Sequence, residues 1–490
     1  MENLIVSTKK KFTMDKFFSQ VKVVATDDIE RVLNVSAKTI FGGAEISNGV
    51  LIVSGKSVVN VIYLNVEGRI CSADAFYDFI QKQKFDSELG SLVLTDETIV
   101  ESVDFSGNEV VCSLGYEPCV EGEYKYQMPS FENSDGELVT ERNMIKNNKL
   151  ICSPEDSFSV AEEFETNRNN VQILAENSKA VLDEISCTVD KVVIEGKVVC
   201  EIIAKDDTEI FVINREFEFR QEIAAEKIIP NMFASCNLSI NNVKVTPEVR
   251  DDKTIIVSTF DIFAKCFVYE ESSIDVVTDI FSLNSNLDVI YDYVEAHQFV
   301  NFETLNDSVL SQTNIAEIPD FDDIIGVYSP EAKLKTIEEK NDKFFVAGEI
   351  SAFALYRSTS GTKKLNISHE VNFEIEKKEN LELNDVNIRV MITSFKVKAG
   401  KELEVVFAVD YRAEYTQNVT TKYVKKYEVK TQKTADNYGV RVYITKSKQT
   451  LFEVAKILNI KPEVIEAQNV VDGEFELGQK IYVYSPINLA

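Results

Sequence analysis

Chemistry in this chain would have to come from a small stock of residues. Only two histidines occur, His297 and His369, 72 positions apart. Zinc sites and Ser-His-Asp triads lean on histidine, so both are read as surface residues of strands or loops. The eight cysteines are Cys71, Cys112, Cys119, Cys152, Cys187, Cys200, Cys236 and Cys266. None forms a C-x-x-C pair, and several sit in apolar alternation, as in Val198-Val199-Cys200. They read as free thiols packed as small hydrophobes, not as a disulfide framework or zinc ribbon. There is no Walker A lysine loop, no G-x-S-x-G, no H-E-x-x-H and no Cys-His pairing. Adjacent acids such as Asp322-Asp323 arise by chance in a chain with 81 Asp plus Glu. The expectation is a protein that is not an enzyme and has no cofactor, no catalytic residue and no metal site. With no Trp, the commonest flat platform for stacking sugars is also missing.

Length and charge narrow the class further. A chain of 490 residues suggests about three or four domains. The formal net charge of −29 argues against nucleic acid and against direct insertion into or docking on an anionic membrane, because both partners call for a basic face. No apolar run approaches the length of a membrane-spanning helix. The N-terminal stretch MENLIVSTKKKFTMDKFF lacks a continuous apolar segment and a small-residue cleavage site, so no signal peptide and a cytoplasmic location are expected.

The elements that must position any site form a repeat. Residues 49–79, 191–219 and 343–375 share one order: a β-rich run, a glycine, a second alternating run, a polar turn and a third strand. The shared glycines are Gly55, Gly196 and Gly348, at domain-sized spacing. A glycine inside a strand pattern marks a bulge or a close backbone approach. Each copy has a second half with period-2 alternation, clearest in residues 254–269 and 402–415, which predicts half-buried antiparallel strands.

The expected organisation is an N-terminal segment 1–20, β-rich domains at 21–150, 151–300 and 301–419, a linker 420–437 and a C-terminal module 438–490. The linker stretch is locally basic, with five Lys against Glu428 and Asp436. In the module, Leu451, Val454, Ala455 and Leu458 make one apolar helical stripe, and Pro462 suits the first turn of a second helix. Val440–Ile444 and Lys480–Tyr484 flank them as strands, giving βααβ order. The fold class is therefore mainly β, three tandem antiparallel units followed by a small α+β module.

The module, with Thr450-Leu451-Phe-Glu-Val454-Ala455, Val464-Ile465, Asn469 and Leu477-Gly478-Gln479-Lys480-Ile481, resembles the LysM domain. That resemblance implies binding of N-acetylglucosamine-containing glycans, including peptidoglycan, or of a protein, through two loops. Here the binding-loop residues would be Lys446, Lys448, Gln449, Thr450 and Leu451, then Asn469, Val470, Val471, Asp472, Gly473 and Leu477. Lys448-Gln449 stand where the family usually has Gly-Asp, which favours the protein-binding alternative. Residues 318–325, Ile-Pro-Asp-Phe-Asp-Asp-Ile-Ile, with the glycine-centred strands after them, resemble the opening of a SPOCS domain. Copy one keeps a weaker echo at residues 24–29, and copy two has none.

SPOCS-like units followed by one LysM resemble morphogenetic proteins of the spore envelope in endospore-forming Firmicutes. The resemblance implies a non-enzymatic scaffold or adaptor at the forespore surface in the mother-cell cytoplasm. Its LysM-like module would bind a coat-basement ATPase of the stage IV sporulation protein A type, and its β domains other spore-coat proteins. The alternative is a cell-wall peptidoglycan-binding protein.

Overall fold

In a computed structural model, the described residues are 3–85, 89–95, 98–131, 137–251, 253–377, 386–433 and 439–484. The chain is mainly β, built from antiparallel sheets. Among the described residues, no helix is long and apolar enough to cross a membrane.

Alternation decides where each strand faces. From Leu403 to Tyr415 every odd-numbered residue is at most 3% exposed, while the even-numbered ones face outward or lie half-buried. With a side-chain period of two, one face of such a strand belongs to a core and the other to solvent.

The chain lays down the same run of pairings three times. The first run comprises β1 (Asn3–Thr13), β2 (Phe17–Val24), β3 (Ile29–Ser47), β4 (Val50–Asn65), β5 (Ile70–Lys84), β6 (Gly90–Thr95), β7 (Thr98–Ser106), β8 (Glu109–Tyr116) and β9 (Cys119–Pro129). The second comprises β10 (Leu138–Cys152), β11 (Glu155–Thr166), β12 (Gln172–Thr188), β13 (Lys191–Lys205), β14 (Ile210–Ala224), β15 (Phe233–Arg250) and β16 (Lys253–Ser282). The third comprises β17 (Ser285–Asn314), β18 (Phe321–Lys340), β19 (Lys343–Ser358), β20 (Gly361–Glu376), β21 (Val386–Ala399) and β22 (Glu402–Gln432).

In each run a three-stranded meander, β3-β4-β5, β12-β13-β14 or β18-β19-β20, packs on a second sheet. Those second sheets are β2-β8-β7, β11-β16-β15 and β17-β22-β21. The last strand of each run then continues as a leg paired with the start of that run: β9 with β1, the end of β16 with β10, and the end of β22 with the start of β17.

These pairings cross the boundaries expected from composition. Within the expected N-terminal segment 1–20, residues 3–13 and 17–20 are not separate, since β1 and the start of β2 belong to the first run's sheets. Positions 150 and 300 fall inside β10 and β17. Of the expected linker 420–437, residues 420–432 are strand, with Val419 opposite Ala296 and Tyr427 opposite Val289, and 434–437 lie outside the described residues. The basic character there reflects a leg with one face open to solvent, and its inward residues Tyr423 and Val424 are 5% and 1% exposed.

The three glycines do the same job in each meander. Gly55, Gly196 and Gly348 sit opposite a bulge on the preceding strand, at Phe41/Gly43, Leu182/Glu184 and Leu334/Thr336. A Cβ on Gly348 would lie 2.8 Å from the Lys333 carbonyl oxygen, and one on Gly196 would collide with that of Val181. The bulged strand presses its backbone against the central strand, and only a residue without a side chain fits.

A second bulge in each meander builds a shared core. Leu33, Leu174 and Ile325 are the extra residues at Val32/Asn34, Ile173/Ala175 and Ile324/Gly326. They meet Ile62, Ile203 and Leu355, the seventh residue after each glycine, in a single apolar cluster. The legs converge in another, where Val6, Met128, Ile145, Val276, Val294 and Tyr423 pack together. The three runs therefore close a ring around common cores. At the junction of runs one and two, Asn60 Nδ2 donates to the Leu174 carbonyl at 3.3 Å and Lys38 Nζ to that of Ser178 at 3.2 Å. Between runs two and three, Glu201 Oε2 accepts from the Ser329 amide at 2.7 Å and Lys179 Nζ donates to the Pro330 carbonyl at 3.2 Å.

All eight cysteines are free thiols. Four of them gather in one apolar cluster, where Cys152, Cys187 and Cys236 pack around buried Cys266. Hydrogen bonding with Cys236 and burial hold the Cys266 thiol far above its usual range, which disfavours a reactive thiolate.

Candidate functional site

The C-terminal module is built from β23 (Val440–Ile444), α1 (Leu451–Leu458), α2 (Pro462–Glu466) and β24 (Lys480–Tyr484). β23 and β24 pair antiparallel, Val440 opposite Tyr484. Helix α1 starts where Thr450 caps it: the Thr450 hydroxyl accepts from the Glu453 amide at 3.1 Å, and the Glu453 carboxylate accepts from the Thr450 amide at 2.9 Å. This reciprocal box satisfies two donors that a helix start leaves open. Asn459 ends the helix in the left-handed region at φ 54°, and α2 opens with Pro462 in its first turn. Val454, Ala455, Ile465, Phe475 and Ile481 form the core, each at most 1% exposed.

That core is completed by the β body. Phe281, near the end of β16, packs edge-on against Phe452 with ring centroids 5.4 Å apart, and Val139 and Leu283 line the same cluster. Lys456 Nζ donates to both carboxylate oxygens of Asp279, at 2.8 and 2.6 Å. Burial alone would raise the Asp279 carboxyl, but hydrogen bonds from Lys456 and Tyr291 prevail and hold it below the usual carboxylate range. Asn459 donates to the Leu283 carbonyl at 2.8 Å and accepts from Lys433. The module is thus seated on the turn between β16 and β17.

The two loops expected to bind a ligand are brought side by side. Gln449 and Phe475 form an isolated β-bridge, with amide-to-carbonyl distances of 3.0 and 2.8 Å. Lys448 and Glu474 pair across the loops at 2.8 Å. Tyr443 donates to the Gln449 side-chain carbonyl at 2.9 Å. Several of the expected residues are committed to holding this shape. Thr450 caps α1, and Leu451 and Val471 pack against the core. Asn469 donates to the Ile465 and Tyr482 carbonyls and accepts from the Tyr482 amide, which ties the end of α2 to β24. The expected residues left facing solvent are Lys446, Lys448, Val470, Asp472, Gly473 and Leu477, with Val470 88% and Leu477 71% exposed.

A second surface escaped the motif reading. On the outer face of the β23–β24 hairpin, Val440, Val442, Ile444, Tyr482 and Tyr484 are 40–59% exposed, and the register places them on neighbouring positions. A contiguous apolar patch on a two-stranded sheet is a recognition feature, because water gains by its covering. The signal was present in the sequence: in residues 440–444 and 480–484 only Arg441 and Lys480 are charged, and the apolar side chains fall on both faces instead of one.

No protein-family model and no curated protein matches this chain.

Proposed function

We propose that the protein is a non-enzymatic scaffold or adaptor of endospore coat assembly, acting in the mother-cell cytoplasm at the forespore surface. In this reading the three β runs are tandem SPOCS-like units with further coat proteins as partners. The C-terminal module is LysM-like and tethers the body to a basement-layer protein of the stage IV sporulation protein A type. The observation that carries the reading is the module's outer face: five exposed apolar residues on a hairpin whose module is anchored to a large β body. Such a surface suits a protein partner, for which apolar burial is the main driving force.

The glycan-binding alternative rests on the two loops alone. The Lys448–Glu474 pair bridges them, and Asn469 spends its amide on the backbone. Both features weigh toward the protein partner.

The test uses the full chain with Val442→Asp and Tyr482→Asp together, assayed by pull-down against purified basement-layer protein and by sedimentation with purified sacculi. Loss of the protein partner with unchanged melting is the expected result. Sedimentation with sacculi that survives in this variant and disappears in Lys448→Ala would establish the cell-wall reading instead. In cells, a fluorescent fusion is expected to ring the forespore only when residues 438–490 are present.

A further inference from the structure

The ring has three equivalent junctions, and one of them differs. Strand pairing sets the correspondence. Ser72, Val212 and Lys364 each lie opposite the seventh residue after the run's glycine, on the third strand of their meanders. Asn34, Ala175 and Gly326 lie opposite the same residues on the first strands. Around the ring, the third strand of one run meets the first strand of the next.

At the first two junctions this contact is closed. Ile70, Ile210, Val212 and Ile325 pack against the shared core, and Val212 lies so close to Gly326 that a Cβ there would be 2.7 Å away. Lys205 Nζ donates across the first junction to the Ile70 carbonyl at 2.7 Å, and Arg357 pairs with Glu209 across the second.

At the third junction, between the last run and the first, this contact carries a hydroxyl and a lysine. Thr362 stands where Ile70 and Ile210 do, and Lys364 where Ser72 and Val212 do. Arg31 takes over the part of Lys205 and donates to the Thr362 carbonyl at 3.2 Å. Lys364 Nζ donates to Asn34 Oδ1 at 2.9 Å and lies 4.5 Å from the centre of the Phe353 ring. What remains is a groove of about 340 Å³ lined by Arg31, Val32, Leu33, Lys363, Lys364 and Asn366. Three of six lining residues are cationic, in a chain where acids outnumber bases 81 to 52. Asp320 pairs with Lys363 at 3.1 Å, so the groove keeps an excess of positive charge.

We propose that this groove is a binding site for a multiply charged phosphate: free pyrophosphate or the phosphate chain of a nucleotide. Arg31 offers a planar fork of donors, and the two lysines supply point charges on the opposite wall, the combination that polyanionic phosphates require. Burial also holds the Lys364 ammonium below its usual range, a penalty that an anion in the groove relieves. The volume falls within the range of small-ligand sites.

Isothermal titration of the full chain with inorganic pyrophosphate, ADP and succinate tests this. The expected result is one pyrophosphate per chain, no heat from succinate, and at least tenfold weaker binding in Arg31→Gln and in Lys363→Glu. The second variant leaves the Arg31–Thr362 bond of the junction in place and guards against a disturbed junction in the first. Tighter binding of ADP than of pyrophosphate would assign the site to a nucleotide, and the reverse to the free anion. Absence of pyrophosphate uptake, equal uptake by both variants, or a signal arising only from self-association in sedimentation would overturn the proposal.

Discussion

At the scale of single residues, packing turns chemically plain side chains into determinants. Gly196 faces a bulged backbone, so Gly196→Ala must push two strands apart; a loss of about 2–4 kcal/mol is expected, read as a lowered denaturant midpoint. Glu201 is buried at the junction of runs two and three at 4% exposure, and burial pushes its carboxyl up to about 7 against the pull of the Ser329 amide and Asn177. The folded state therefore keeps a proton that the unfolded chain releases near the ordinary glutamate value of 4.5. Stability falls as pH rises from that value to about 7, and above it the charged carboxylate costs the fold about 3 kcal/mol. Glu201→Gln keeps the acceptor for the Ser329 amide and removes the charge. Thermal melts should show the variant stabilised at pH 8 and unchanged at pH 4; equal shifts at both would refute the burial account.

Among the elements, the legs and the C-terminal module show how tertiary contact overrides local character. The sequence reads residues 420–437 as a basic linker because lysines crowd the stretch. Pairing with β17 makes residues 420–432 strand, with the lysines on the open face. The module's βααβ order was legible, since its helical stripe and its proline lie close together in the chain. Its seating was not, because Asp279, Phe281 and Leu283 come from a strand end far away in sequence. Asp279→Ala is expected to loosen this seat, leaving Lys456 unpaired and the Phe281–Phe452 contact weaker. Hydrogen exchange should then rise across α1 while β13 and β19 stay protected. Unchanged protection in α1 would mean that the apolar contact suffices.

For the whole molecule, the ring implies that the three runs are not independent. Leu33, Leu174 and Ile325 share one core, and Val6, Ile145 and Val294 share another. A fragment of residues 1–283 leaves both clusters open on one side and exposes apolar surface that the third run covers. It is expected to bind a hydrophobic dye and to self-associate in sedimentation, whereas the full chain does neither. A monomeric, cooperatively melting fragment would show that the runs fold alone and that the ring is a loose assembly.

The sequence by itself determined what short-range physics controls: strands from period-2 alternation, a threefold repeat from recurrent glycines, and a small βααβ module from helical spacing and the proline that opens its second helix. It also placed the loop residues 446–451 and 469–477, although not which of them are spent on holding the loops. Tertiary structure decided where the runs begin and end, how they close into a ring, and which junction stays open and basic. Those properties depend on pairings between residues more than a hundred positions apart, such as Asn3 with Pro129 and Ser285 with Gln432. A residue's side-chain period reveals which face is buried, but nothing in that period names the strand that covers it.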